Sequence, residues 1–529
     1  MKSNFFKYIF IIFVIGIMAF AIYKIQKDET NQKQQQEITN ARQEEEKQTQ
    51  IKLGIASMDT INPILTNNKN VQEITKLIYE PLINLTQDYK TEPCLAIEWA
   101  KQNQTSYIIK LRENVKWSNG QEFTADDVRF TIDRLKDSPT IYAYQVQYVI
   151  GVDVVDKYTI RINLDREVPF FEYNLTFPIL SSKYYEGEDF KTTSKNASPV
   201  GTGKYKITEV QPSYLTLEKN TNWWNKEQNL SLDKITINLY SSVGELYNSF
   251  KIGNIDIIGT SNTNLQEYIG TIGYNKSEMK GREHDFLIMN TQNYFLSKPE
   301  VRKAIAYSID RENIVSSIYG SNYYTSSFPL DYGTWIYQEQ DVSLGYNPDQ
   351  GKQLLIDNGW TYKYKYWQKY ENYKTQRIVL NLSVKSSDEN RVKVAENIAA
   401  QLRNQGFRIN VVKLSDSAYS SAIEKKSYDI MLCSTYLSPS PDLTTYFGKN
   451  NLANYSNEEV TTIMNEIKNS TDENILKEKY KRLGEIYKTE IPYLSLYTNK
   501  YTVAYNTGLV GEITPNWFSM FYNINTWYK

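Results

Sequence analysis

Residues 378–433 read as a single repeating pattern that few folds accommodate. Ile378, Leu380, Leu382 and Val384 alternate with Val379, Asn381 and Ser383, the period of a strand. SSDENRVKVAENIAAQLRNQG follows and carries Val394, Ile398 and Leu402 at four-residue spacing, which lines one face of a helix. Gly406 sits where a helix C-cap belongs. Ile409 and Val411 then open a second strand, residues 415–425 a second helix, and Tyr428–Cys433 (YDIMLC) a third strand. Strands alternating with helices lie parallel with right-handed crossovers, so this part of the chain is an α/β sheet. Such sheets bind ligands beyond the carboxyl ends of their strands, which puts the loop 434–442 at a cleft.

Other helices announce themselves by their caps. Thr124 to Asp127 form a capping box ahead of Val128, Ile132 and Leu135. Ser297 and Pro299 start a helix with Val301, Ile305 and Ile309, Asp310 caps the next one to Gly320, and Asn347-Pro348 opens another that Gly359 closes. Between Ser106 and Asp256 the segments YIIKL, YTIRINL, YKITEV, YLTLEK and KITINLY alternate as strands. A β-rich first half and an α/β second half predict two lobes of different build, and 529 residues are ample for both.

Composition removes several kinds of chemistry. The two cysteines, Cys94 and Cys433, belong to no CxxC, so no zinc cage of the usual kind is available and no cofactor is implied. His284 is the only histidine; in EHDFLIMN it precedes a strand-like run and reads as a surface residue, which leaves no basis for a Ser-His or Cys-His catalytic site. Sixty Lys plus Arg stand against 61 Asp plus Glu, and with no basic cluster apparent, nucleic acid is not an expected partner. Asp126 and Asp127 diverge by ~100° around a helix, so the cap explains Asp127 better than paired acid–base work does. Trp117, Trp223 and Trp224 read as core or lobe-packing residues. Tyrosine, at 44 residues, is abundant; its flat body and polar tip suit wet contact surfaces, and Tyr142, Tyr144, Tyr419 and Tyr436 are candidate cleft aromatics.

Tyr8 to Tyr23 (YIFIIFVIGIMAFAIY) is an uncharged apolar run flanked by Lys2, Lys7, Lys24 and Lys27. It serves either as a cleaved signal, with Ala19-Phe20-Ala21 as the cleavage site, or as a retained anchor; snorkelling of the flanking lysines favours the anchor. No Cys follows it, so lipid attachment there is excluded. Residues 26–50 are almost wholly polar and read as a stalk. The charge bias around the run places the body outside the cell membrane, in an extracellular or periplasmic position.

Several motifs occur in a familiar order: Ile61-Asn-Pro-Ile64, Leu77-Ile-Tyr-Glu-Pro-Leu82, the stretch LRENVKWSNGQEFTADDV over 111–128, Val200-Gly-Thr-Gly-Lys-Tyr205, VRKAIAYSIDRENIV over 301–315, NYSNEEV over 454–460 and Ile491-Pro-Tyr-Leu494. Over about residues 51–510 the chain resembles the extracellular solute-binding proteins of ABC importers, family 5, the oligopeptide-binding type. The resemblance implies a two-lobed periplasmic-binding-protein-like fold of the type II, cluster C kind. Residues 51–80, 190–285 and 499–529 would build lobe I, 81–189 a β-rich insertion domain packed on it, and 286–498 lobe II. It further implies a monomer that closes on an extended peptide and delivers it to ABC permease subunits driven by cytoplasmic ATPase subunits.

The same resemblance assigns site residues. The loop after YDIMLC would run beside the ligand backbone, with Thr435, Tyr436 and Leu437 supplying main-chain contacts. At the next position the family carries an aspartate for the ligand's α-ammonium; here it is Ser438, which cannot neutralise a buried cation. Asp442 substitutes if the Pro439-Ser-Pro441 turn folds it back. Asn67 and Asn68 would contact the ligand from the facing lobe. Hinge closure needs no catalysis, so the chain is not expected to be an enzyme. The alternatives are a metal chelate or other non-peptide solute in the same cleft, a ligand-sensing receptor, and a surface glycosidase with two opposed carboxylates.

Overall fold

The computed structural model describes residues 49–260, 273–320, 322–330, 333–337 and 344–529, together with Lys24, Ile25, Lys27 and Lys33. The apolar run and most of the polar stretch after it lie outside the described residues. Among the described residues no helix is long and apolar enough to cross a membrane.

Strand β1 (Gln50–Ala56) alternates Ile51, Leu53 and Ile55 inward with Gln50 and Lys52 outward. Gln50, expected in the stalk, thus belongs to the sheet, where its carboxamide donates to the Thr236 hydroxyl at 3.2 Å. Helix α1 (Lys69–Thr75) begins at Asn68, whose side-chain oxygen accepts from the Asn70 N–H at 3.0 Å. β1 lies parallel to β2 (Lys234–Tyr240) on one side and touches β3 (Ile257–Thr260) on the other. A separate four-stranded sheet, with Ala96–Asn103, Ser106–Leu111, Thr159–Leu164 and Val149–Asp156 as neighbours in that order, packs into the same core. Helix Ala125–Lys136 closes it, and the Asp127 carboxylate that caps this helix also accepts from the Ser182 N–H at 2.7 Å and the Trp117 indole at 3.3 Å.

The chain then enters β4 (Tyr274–Met289), sixteen residues long. Beyond it come a small meander, β5 (Thr361–Lys363), β6 (Tyr366–Glu371) and β7 (Lys374–Arg377), and the expected alternating unit. That unit is β8 (Val379–Lys385), α2 (Glu389–Asn404), β9 (Arg408–Leu414), α3 (Asp416–Lys425) and β10 (Ile430–Tyr436). β8 pairs parallel with both β9 and β10, as the pattern required. Gly406, at φ +90°, turns the chain out of α2 in the left-handed conformation that glycine permits. Strand β11 (Tyr493–Asn506) returns alongside β4.

β4 and β11 are antiparallel and pass through both halves of the molecule. Residues 274–280 of β4 pair with 500–506 of β11 next to β3, and residues 284–288 pair with 493–498 next to β10. The first half sits against the core that holds Ile51, Ile235 and Trp117; the second half separates the core of Leu382, Ile398 and Val301 from that of Phe286, Tyr446 and Tyr487. Between the halves the register breaks, with Lys280 opposite Lys500 but His284 opposite Thr498. This is a bulge, and the Asn499 side chain fills it by accepting from the Glu283 N–H at 3.1 Å.

His284 corrects the sequence reading. It lies well inside β4 rather than ahead of a strand, is fully buried, and stacks on Phe286 at 5.3 Å. The strand starts ten residues before His284, at Tyr274, because the crossing carries polar residues that hide its period. Gly281 has no side chain for a steric reason: a Cβ there would stand 1.8 Å from the Asn499 Oδ1. Gly281→Ala is expected to eject Asn499 from the bulge and lower unfolding free energy by about 1–3 kcal/mol. Urea unfolding checks this, and an unchanged midpoint would show that Asn499 does not fix the bulge.

Candidate functional site

The three parallel strands of the α/β unit end at one edge, and there β10 outruns its neighbour. β8 pairs with it only at Ile430 and Met431, whereas β4 pairs with it as far as Tyr436. Among the described residues, no strand pairs with the second edge of Cys433–Tyr436. The first carbonyl on that side, Leu432, is taken by the Tyr419 hydroxyl at 3.0 Å. The Tyr419 hydroxyl also reaches the Cys433 Sγ at 3.2 Å, and its partly buried ring packs against a core beside this edge. Thr435 is half-buried beside this edge, and Tyr436 is 66% exposed.

The next two residues are held from behind. Leu437 donates its N–H to the Arg282 carbonyl at 2.8 Å, and the Arg282 Nε donates to the Leu437 carbonyl at 2.8 Å. The same guanidinium donates to the Ser438 carbonyl. Both main-chain groups of Leu437 are spent on Arg282, so the expected ligand contact from Leu437 is corrected. Ser438 is exposed, and its hydroxyl accepts from the Ser440 N–H at 3.1 Å. Arg282 lies in the bulge of β4, and its Cζ sits 5.5 Å over the ring of Tyr89 and 5.4 Å over that of Phe518. Burial lowers its pKa to about 10, which leaves it charged. Nothing in the sequence signalled it, since the strand around Gly281 was not legible there.

Asp442 does fold back, onto its own chain. Its Oδ1 accepts from the Thr444 N–H at 2.9 Å and from the Thr444 hydroxyl. Pro441 is fixed by the Tyr480 hydroxyl, which donates to its carbonyl. The carboxyl is half-buried; burial raises its pKa, and Thr444 only partly offsets this. No cation assists it among the described residues.

The facing side is built on α1. Asn67 is exposed and donates its N–H to Asp59 at 3.0 Å; Asn68 is engaged as the helix cap and by Ser57. The Lys69 Nζ lies 4.4 Å over Trp517, whose ring is 6.2 Å from Tyr436, so aromatic contact spans the gap. Buried Glu73 pairs with Lys76 at 2.6 Å and Lys69 at 3.1 Å. Burial pushes its carboxyl up, but the two lysines and the Met520 N–H overcome that and hold it at about 2. Tyr144 is 49% exposed, with Arg282 close enough to lower its pKa against the rise from burial. Tyr142 packs partly buried against the first core. The structure thus brings together Tyr144, Tyr436, Ser438 and the Asn67–Lys69 turn, and it sets Tyr142 and Tyr419 into packing.

One charged cluster escaped the sequence reading. Arg391, in the first turn of α2, meets Asp285 at 3.0 Å, and also Glu283 and Asp388. Glu283 is register partner to Tyr436, so the cluster borders the free edge of β10 and adds surplus negative charge there. Among the described residues no group of three His, Cys, Asp or Glu is placed to hold a metal ion.

Separate hydrophobic cores share the long strands β4 and β11 and are also bridged by Trp335, whose indole donates to the Tyr173 hydroxyl at 2.8 Å and whose N–H donates to the Asp88 carbonyl at 3.0 Å; this is the architecture of a solute-binding protein. The family model "Bacterial extracellular solute-binding proteins, family 5 Middle" matches residues 90–456, and the chain belongs to that family. It is 24% identical to Heme-binding protein A of Haemophilus influenzae over 76% of this chain and 78% of that one. It is likewise 24% identical to the dipeptide-binding protein DppE of Bacillus subtilis over 82% of this chain and 83% of that one. The solved structure of HbpA2 from Haemophilus parasuis has the same fold, with a TM-score of 0.75, 20% identity, and coverage of 89% of this chain and 99% of that one.

His284 lies under the same edge, register partner to Thr435 on one side and Thr498 on the other. Burial first, then Arg282, pushes its imidazole down to about 3. The unfolded chain takes up a proton at ordinary histidine pKa, so its uptake favours unfolding as pH falls from about 6.5 towards 3, at up to about 1.4 kcal/mol per pH unit. His284→Phe is expected to lose about 2.5 kcal/mol less than the parent between pH 7 and 4.5. Parallel losses in urea unfolding at the two pH values would refute the assignment.

Proposed function

We propose that the crevice captures peptides or peptide-like solutes and that closure of the two bodies over them prepares delivery to ABC permease subunits. The one-sided ladder of Cys433–Tyr436 carries this reading. Main-chain N–H and C=O groups there suit an added strand, a grip that asks little of the ligand's side chains. Tyr436, Trp517 and Tyr144 offer amphipathic walls, and bridging water adapts to varied side chains. The division into lobe I (51–80, 190–285 and 499–529), a β-rich insertion (81–189) and lobe II (286–498) belongs to the same reading, as do a monomeric state and an extracellular body tethered by Tyr8–Tyr23. No step of capture and release requires catalysis.

Asp442 takes the role that Ser438 cannot fill. It is the first carboxylate along the loop, its Oδ2 is uncommitted by the Thr444 contacts, and its raised pKa is the mark of a negative charge without a counter-ion. An arriving α-ammonium would supply that counter-ion. A non-peptide cargo is the second reading, favoured by the likeness to a heme-binding relative over three quarters of the chain.

Purified protein should release a mixture of short peptides on denaturation, read by mass spectrometry; heme or a single chelate would overturn the peptide reading. Asp442→Asn should weaken a peptide with a free amino terminus at least about ten-fold and leave its acetylated counterpart unaffected. Equal affinities for the two peptides before and after the substitution would remove Asp442 from the site.

A further inference from the structure

The meander β5–β7 stands apart from the crevice. β7 runs straight into β8, and the opposite end of β8, roughly 20 Å away at strand spacing, opens on Asp388 and Arg391. The meander is also firmly mounted. Trp367 is buried, its indole donates to the Gln405 carbonyl at 2.7 Å, and its N–H donates to the Gly406 carbonyl at 3.2 Å.

Its outer surface carries an uncommon set of side chains. Tyr373 is 94% exposed, Tyr364 and Tyr370 are 71% exposed, and Tyr362 is 54% exposed. Lys363, Lys365, Lys374 and Arg377 are exposed beside them. The single carboxylate of the segment, Glu371, is occupied by the Tyr294 hydroxyl and by Lys298 at 3.5 Å. Here is a basic cluster that the balanced charge of the whole chain concealed.

Backbone strain holds two of these rings outward. Both tight turns place their central pairs in the left-handed region, Tyr364 at φ 55° with Lys365 at φ 66°, and Asn372 at φ 51° with Tyr373 at φ 60°. Such turns favour Asn-Gly, and a bulky side chain there is kept against a local cost. A core contact does not explain it, since the two rings face solvent.

We propose that this meander docks on the anionic headgroups of a lipid bilayer. Tyrosine settles at the membrane–water interface, where its ring meets the acyl boundary and its hydroxyl stays wet. Lysines near the surface are drawn to anionic lipid. Lys363, Lys365, Lys374 and Arg377 are exposed with no exposed carboxylate in the meander, a charge that favours an anionic surface over a neutral sugar polymer.

The full-length chain with Thr375→Cys, labelled there with an environment-sensitive fluorophore, tests this, because native Cys94 and Cys433 are buried. The chain is reconstituted in vesicles of phosphatidylcholine alone or mixed equally with phosphatidylglycerol. The label should shift to the blue and be quenched by spin-labelled lipid only in the anionic vesicles, and molar salt should reverse both effects. Lys363→Gln, Lys365→Gln and Lys374→Gln together should lower the docked-to-free ratio on the order of a hundred-fold. Tyr364→Asn with Tyr373→Gly should also weaken docking while easing the turns. The apolar run at residues 8–23 is common to every variant, so differences report the meander alone. A label equally hydrated on both vesicles, or quenching indifferent to the lysines, would overturn the proposal. So would a meander-dependent retention on insoluble peptidoglycan without any lipid response.

Discussion

The paired crossing of β4 and β11 is the constraint from which the rest follows. Their ladders continue into both cores, so neither half can turn without bending these two strands. The β4–β11 ladder is interrupted twice close together, by the bulge at residues 281–283 and by a second shift between Asp285 and Phe286, and these gather the freedom into a short stretch of backbone. Asn499 keeps that stretch in one arrangement by replacing a missing ladder bond with a side-chain bond. A crossing without the bulge would be a stiff continuous ribbon.

The bulge also places Arg282. One guanidinium reaches the carbonyls of Leu437 and Ser438 on one body and the rings of Tyr89 and Phe518 beside the other. A rotation about the bulge must therefore change either the carbonyl contacts or the ring contacts. Arg282 thus links the loop at Leu437 and Ser438 to the β4 bulge and to the rings of Tyr89 and Phe518 through named atoms.

The order of elements in the α/β unit was legible from local periodicity and caps, although β10, expected over 428–433, runs from Ile430 to Tyr436 because its pairing with β4 carries it into the expected loop. Capping residues Asp310 and Asn347 likewise act where the sequence placed them. The crossing strand was not legible, because a strand that serves two cores in turn has no single buried face to impose period two; its polar residues Glu283, His284 and Asp285 look like loop. The site was half legible. The resemblance pointed to Thr435 and Tyr436, and the strand-end rule to their loop, whereas Arg282, Arg391 and Trp517 come to this region from positions remote in sequence. The inward hydroxyl of Tyr419, which satisfies the Leu432 carbonyl, had no sequence signal, since it depends on how α3 packs on β10.

Charge near the crevice is arranged in two distinct ways. Glu73 is buried, and Lys69 and Lys76 neutralise it before any ligand arrives, so it ties α1 to the Met520 N–H at 2.8 Å. Asp442 is half-buried and has only Thr444 to stabilise it. Of the two, only the second has electrostatic free energy left to give to an incoming cation, since a carboxylate already held at about 2 is fully ionised and paired across the working range. The Arg391 cluster sits between these extremes, with three carboxylates sharing one guanidinium beside the free edge of β10. A ligand lying along that edge would meet a main-chain ladder that is indifferent to sequence, in a field that favours positive groups. Selectivity in such a crevice comes from charge and end-group placement more than from side-chain fit.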